Sequence, residues 1–178
     1  MNQNLSSTAD ASVKEVKLPI SIKVIMIDLD GTLLDTADDL ALAANLMLKD
    51  LGLPEQSTST IRSYIGKGIQ KLVKRTLTGQ LDGEPDAALF AQALPLYEKH
   101  YANNLSVNTR PYPGVLEGIK IMQQAGFKLA CITNKAKAFT LPLLRSTGLY
   151  EQFEFVLSGD SRPKKKPDPM PLTLIWKH

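Results

Sequence analysis

Two aspartates two residues apart open the string Asp28-Leu29-Asp30-Gly31-Thr32, directly after the apolar run Val24-Ile25-Met26-Ile27. Leu33-Leu34-Asp35-Thr36 follows. The run is short, continuous and rich in β-branched residues, which suits a strand buried on both faces of a parallel sheet. Side chains alternate along a strand, so Asp28 and Asp30 project the same way if the strand persists that far. Gly31 then lets the backbone turn sharply. In open α/β sheets, ligands bind beyond the carboxyl ends of the strands. A carboxylate pair there is costly to bury unless it meets a cation. Magnesium, a hard ion that favours oxygen ligands, is the natural partner. Together these features describe a compact site for moving phosphate. An Asp-Gly pair alone is a common turn and means little. The full string on a strand end is much harder to obtain by chance.

Two later segments offer groups that could hold a phosphate. Thr133-Asn134-Lys135 follows an apolar stretch, Leu129-Ala130-Cys131-Ile132. A hydroxyl at a strand terminus can donate to a phosphate oxygen without adding charge, and amides opening a helix can assist. The alternative is a threonine that merely caps a helix. Lys164-Lys165-Lys166-Pro167-Asp168-Pro169 is either a solvated basic run or a rigid segment that fixes an ammonium at the edge of a sheet.

These groups need a scaffold. After Thr36 the spacing turns helical, with Leu40, Ala43, Ala44, Met47, Leu48 and Leu51 on one face and Gly52 with Pro54 as a stop. A short helix starting at Ser57 to Thr60 is expected next, then Ile69, Leu72, Val73 and Leu77 on one face after Gly66-Lys67-Gly68. Asp86 to Tyr101 reads as helix, with Pro95 expected to kink or split it. From Arg110 helices and strands alternate: a helix over 115–125, a strand over 128–133, a helix over 137–147 and a strand over 153–157. Such alternation argues for a parallel sheet with right-handed crossovers. The expected organisation is a disordered polar tail over 1–18, an α/β Rossmann-like core over 19–36 and 109–178, and a helical cap over 37–108. Three core strands are present.

Composition narrows the function. The 178 residues carry a net charge of +3, which makes no case for nucleic acid as a partner. The tail lacks the apolar centre of a signal peptide, and no stretch approaches the ~18 apolar residues of a membrane helix. Cys131 is the one cysteine, so no internal disulfide forms. That fits a cytoplasmic setting, and Cys131 itself reads as core filling.

Asp28-Leu29-Asp30-Gly31-Thr32, Thr133-Asn134-Lys135 and Lys166-Pro167-Asp168-Pro169, in that order, resemble the first three motifs of the haloacid dehalogenase-like hydrolase superfamily. The stretch from Tyr112-Pro113-Gly114-Val115 through Lys166-Pro167-Asp168-Pro169, and Ile65-Gly66-Lys67-Gly68 with Leu72-Val73, resemble the phosphoglycolate phosphatase family within it. The resemblance covers residues 24 to 172 and places the helical insert where that family has its cap. It implies hydrolysis of a small phosphorylated metabolite, 2-phosphoglycolate above all, with Asp28 as nucleophile and Asp30 as acid and then base. Thr133, Asn134 and Lys166 are expected to hold the phosphoryl group. Magnesium is expected on Asp28 and the backbone carbonyl of Asp30. Arg62 and Lys67, in the cap, are the candidates for a substrate carboxylate; the alternative for both is a solvated surface charge. The expected partner is a small phosphate ester, with no nucleic acid or membrane, and the choice of monomer or dimer stays open.

The resemblance also marks a departure. The superfamily has a fourth, acidic motif on a later strand, and only Asp168 offers an acid after Lys166. Gly159-Asp160-Ser161 imitates that motif but precedes the lysine, so it is expected to be a turn. On this reading the chain is truncated, Val24 to Ile27 form an exposed apolar edge, and activity is weak. The two rival expectations are a sugar phosphomutase of the same superfamily and a non-catalytic homologue.

Overall fold

A computed structural model describes residues 23–175. The tail expected over 1–18 and the ending Trp176-Lys177-His178 lie outside the described residues. Strand β1 (Val24–Ile27) leads into the aspartate turn. Two short strands, β2 (Leu34–Asp35) and β3 (Arg110–Pro111), enclose four helices: α1 (Ala37–Asp50), α2 (Thr58–Arg62), α3 (Ile69–Thr78) and α4 (Ala87–Asn103). Then come α5 (Val115–Gln124), β4 (Lys128–Ile132), α6 (Lys137–Ser146), β5 (Phe155–Leu157) and α7 (Met170–Ile175).

The sheet order is β1-β4-β5, all parallel. Met26 lies opposite Ala130, and Ala130 lies opposite Phe155. This puts the ends of β1 and β4, and so Asp28 and Thr133, at the same edge. Among the described residues β1 has a neighbour on one side only. Its four residues are accordingly half-buried, a correction to the expectation of burial on both faces. The central strand β4 shows the full burial instead, from Leu129 through Ile132.

Local signals account for the helices. The Ser57 side chain accepts from Thr60 N to start α2, and Asp86 Oδ1 accepts from Ala88 N and Leu89 N at 3.0 Å to start α4. Gly79 closes α3 in the left-handed conformation. Helix α4 runs unbroken through Pro95; the proline removes one hydrogen bond but does not split it. The last strand begins at Phe155 rather than Phe153, because Tyr150–Gln152 wind into a single 3-10 turn first.

Two of the three apolar clusters among the described residues are large. One, in the helical insert, gathers Met47, Ile61, Val73, Tyr97 and Tyr101, and reaches Phe139 on α6. The other lies under the sheet and gathers Leu29, Leu34, Leu129, Cys131 and Leu143. The antiparallel β2–β3 pair ties the chain entering the insert to the chain leaving it, with Asp35 opposite Arg110. No described helix is long and apolar enough to cross a membrane.

Candidate active site

The aspartate turn is built from its own backbone. Leu33 N and Leu34 N both donate to Leu29 O, at 3.0 and 3.1 Å, and Gly31 N donates to Leu34 O at 2.9 Å. Gly31 has φ +78, a conformation other residues rarely adopt. Leu29, fully buried, points into the sheet core. Asp28 and Asp30, on either side of it, therefore face the opposite way, into one pocket that Thr133, Asn134 and Lys135 also line.

Each carboxylate has its own ammonium. Lys166 Nζ sits 2.7 Å from Asp28 Oδ1 and donates to Ile132 O at 2.7 Å. Leu29 N donates to the same Oδ1 at 2.8 Å. Among the described residues nothing bonds Asp28 Oδ2. The Asp28 side chain is 42% exposed, so that second oxygen is open to a ligand. Lys135 Nζ sits 3.1 Å from Asp30 Oδ1, and Thr36 Oγ1 donates to that oxygen at 2.8 Å.

The expected phosphate-holding residues come together around Asp28. Thr133 is buried; its N–H donates to Leu157 O at 3.0 Å, and its hydroxyl accepts from Lys135 N at 3.1 Å. Among the described residues the Thr133 hydroxyl makes no other hydrogen bond. Asn134 uses its side chain on backbone: Nδ2 donates to Lys166 O at 3.0 Å and to Gly66 O at 3.2 Å, and Oδ1 accepts from Lys166 N at 3.0 Å. It thereby joins the loop after β4, the lysine loop and the helical insert at one point. Gly159 packs against the same loop, with its N–H on Lys135 O at 2.7 Å. Asp160, in the turn after β5, accepts from Lys137 N at the start of α6 at 2.8 Å.

The two basic candidates of the insert stand apart from this pocket. Arg62 is paired with Asp35 at 3.1 Å and Asp38 at 3.9 Å. It lines a neighbouring cleft with Tyr112, which shares only Asp30, Ile65 and Gly66 with the first pocket. The hydrogen bond to Asp35 is the main reason its guanidinium is held even more firmly protonated than usual. Lys67 lies in a third groove with Lys71, Lys74 and Lys165. The insert instead offers the pocket Ile65, Ile69 and Leu72, together with the backbone of Gly66 and Gly68.

Lys135 and Thr36, which both contact Asp30, are not among the residues that the motifs led us to expect at the site. Lys135 stands in the Thr133-Asn134-Lys135 string and Thr36 at the end of the aspartate string, neither with a role of its own. The one available signal is proximity in sequence: Thr36 lies six residues from Asp30, and Lys135 two from Thr133.

Comparison with known proteins gives a consistent family. A family model described as haloacid dehalogenase-like hydrolase matches residues 25–178. A phosphoglycolate phosphatase of Nitrosospira multiformis is 66% identical over 154 residues, covering 86% of this chain and 68% of that protein. One from Thiobacillus denitrificans is 58% identical over 154 residues, again covering 86% and 68%. The crystal structure of a predicted phosphoglycolate phosphatase from Haemophilus somnus 129pt superposes with a TM-score of 0.81 at 33% identity, covering 88% of this chain and 71% of that one.

Proposed function

Because the chain belongs to the haloacid dehalogenase-like hydrolase family, we propose that it is a phosphoric monoester hydrolase that cleaves 2-phosphoglycolate to glycolate and phosphate. The observation that carries this reading is the arrangement of Asp28. One of its oxygens is held by Lys166 at 2.7 Å, the other is free among the described residues, and Asp30 stands two residues away in the same pocket.

That arrangement supports the following course. The free oxygen of Asp28 attacks phosphorus, and the ester P–O bond breaks to leave an aspartyl-phosphate. Asp30, protonated, gives its proton to the departing alkoxide. As a carboxylate it then takes a proton from water, whose oxygen attacks phosphorus and frees phosphate and Asp28. Lys166, Thr133 and the amides of the Thr133 loop neutralise and orient the phosphoryl oxygens, which is most of what phosphoryl transfer needs. Asn134 keeps the Lys166 backbone and the Thr133 loop in register.

Magnesium fits the donors present. Two aspartates and two lysines are formally neutral together, so an arriving phosphate dianion is left uncompensated. Asp28 Oδ2 and the carbonyl of Asp30, which accepts none of the turn's backbone hydrogen bonds, are hard oxygen donors. Magnesium commonly takes one or two protein oxygens and completes its shell with water and substrate phosphate. Bound there, the ion would supply the missing positive charge. No cluster of three or more metal-binding side chains occurs among the described residues; Asp28 and the Asp30 carbonyl are the donors that would hold the ion.

A small substrate suits a pocket walled on the insert side by Ile65, Ile69 and Leu72 with Gly66 and Gly68. Phosphate release from 2-phosphoglycolate is measured with magnesium and with a chelator, on the chain and on Asp28→Asn, beside hexose phosphates. Release that needs magnesium, favours 2-phosphoglycolate and vanishes in Asp28→Asn is the expected result. Equal release from Asp28→Asn, or a preference for hexose phosphates, refutes it.

A further inference from the structure

The Lys135 side chain is almost wholly out of solvent, at 2% exposure, yet it carries an ammonium. Its backbone is fixed on three sides. The carbonyl accepts from Gly159 N at 2.7 Å and Thr140 Oγ1 at 3.1 Å, and the N–H donates to Thr133 Oγ1 at 3.1 Å. The side chain runs back toward Asp30, and the Tyr101 ring of helix α4 faces Nζ at 4.7 Å. A buried ammonium persists only where a carboxylate, or an aromatic face, replaces its lost water. Asp30 is its one ion-pair partner among the described residues.

The geometry at Asp30 is one-sided. Lys135 Nζ and Thr36 Oγ1 both meet Oδ1, at 3.1 and 2.8 Å. Oδ2 has no hydrogen-bond partner among the described residues. A carboxylate held by one oxygen in this way cannot rotate freely about its Cβ–Cγ bond. Its other oxygen then keeps one direction, and Asp30 lines both the pocket it shares with Asp28 and Thr133 and the neighbouring cleft with Arg62. Lys166 plays no part in this contact, since it is committed to Asp28 and Ile132 O. The two lysines thus divide the two aspartates between them.

We propose that Lys135 is the positioning residue for proton transfer: with Thr36 it clamps Oδ1 of Asp30, so that Oδ2 is presented first to the ester oxygen and then to the attacking water. The proposal rests on the phosphatase reading above, because it assigns a step to Asp30. It adds that helix α4 of the insert secures that step, through the Tyr101 ring that covers the ammonium.

The test uses the 178-residue chain with Lys135→Met, Asp30→Asn, the double variant, Lys135→Arg and Thr36→Val. Initial rates with 2-phosphoglycolate and magnesium are measured beside melting temperatures. Lys135→Met is expected to lower kcat by about 100-fold with KM changed by less than about threefold. Lys135→Arg is expected to recover part of that loss. In the Asp30→Asn background Lys135→Met should lower kcat no further, since it acts only through Asp30. A loss that multiplies with Asp30→Asn, or that falls equally on KM, overturns the proposal. If Lys135→Met does not fold, Thr36→Val reads the same oxygen: a fall in kcat with KM unchanged supports the clamp, and an unchanged kcat overturns it. If the unaltered chain turns over neither 2-phosphoglycolate nor p-nitrophenyl phosphate, the phosphatase reading fails. The clamp is then judged on melting temperatures, where losses for Asp30→Asn and Thr36→Val that are less than additive support it and additive losses overturn it.

Discussion

Asp39 and Thr109, seventy residues apart, share one carboxylate oxygen: Asp39 Oδ2 accepts from Thr109 N at 2.8 Å and from Thr109 Oγ1 at 2.7 Å. The other oxygen accepts from Asn108 N at 2.8 Å and Asn108 Nδ2 at 3.0 Å. Asp39 lies in the first turn of α1 and is fully buried. It therefore fastens the start of the helical insert to its exit. Removing it strands buried donors, each of which costs on the order of 1–3 kcal/mol. Asp39→Ala is expected to lower stability by about 3 kcal/mol or more, read as a drop in urea midpoint. Asp39→Asn is expected to recover only part, because its amide nitrogen faces donors where an acceptor is needed.

Lys166 bonds Asp28 and a main-chain carbonyl, so its loss affects charge more than packing. Its side chain is 24% exposed and is in no core cluster. Lys166→Met is expected to lower kcat/KM by roughly 10³-fold, in line with removing a charge from a phosphoryl-transfer site. Inhibition by inorganic phosphate should weaken in parallel, while the melting temperature changes by only a few degrees. An unchanged inhibition constant for phosphate would place Lys166 outside the phosphate subsite.

The parts of this fold that show in the sequence are those set by neighbours along the chain. The β-branched run at Val24–Ile27, Ser57 and Asp86 as helix starts, and Gly52 as a stop all act within a few residues. The parts that do not show are long-range. The β2–β3 pair has two residues on each strand and joins segments on either side of four helices, too little pattern for any periodicity. Arg62 looks free until Asp35, 27 residues away, is folded against it. Nothing in the spacing marks Asp39, and only the returning chain at Asn108 and Thr109 makes it a clamp. Lys135 is hidden for the same reason: its burial depends on Tyr101 and Asp30, which the fold brings from two distant places. Motif spacing located Asp28, Asp30, Thr133 and Lys166 in one place, but not the residues that orient them.

Cys131 lies in β4, behind the aspartates, and is fully buried. Burial, and after it the charge of Asp28, pushes its thiol up to about 12. An unfolded thiol ionises near 8.5. The folded chain therefore holds a proton that the unfolded chain releases as pH rises. This contribution to stability is complete below about pH 8.5 and is lost progressively toward pH 12. The buried Tyr97 and Tyr101 hydroxyls, also pushed up by burial, act with the same sign. The urea midpoint should fall between pH 8 and pH 10.5, and fall less steeply in Cys131→Ala, which isolates the thiol. At pH 8 iodoacetamide should modify the folded chain far more slowly than the chain in concentrated urea.

Gly159 and Gly118 test whether close packing against the phosphate loop matters. A methyl group on Gly159 would stand 2.0 Å from Asn134 O and 2.5 Å from its carbonyl carbon, distances no real contact reaches. Both atoms are backbone, so the Thr133–Lys135 loop itself must move. That movement would carry Thr133, Asn134 and Lys135 away from the aspartates together. Gly159→Ala is expected to lower kcat by at least 10²-fold and to cost about 1–3 kcal/mol in stability. Gly118 lies within α5, away from the site, and a methyl group there meets nothing within 4 Å. Alanine suits a helix interior better than glycine, so Gly118→Ala should raise stability by about 0.5–1 kcal/mol and leave kcat unchanged. If both substitutions behave alike, the tight seat of Asn134 against Gly159 does not position the loop, and the alignment of Thr133 with Asp28 must come from the β4–β5 pairing alone.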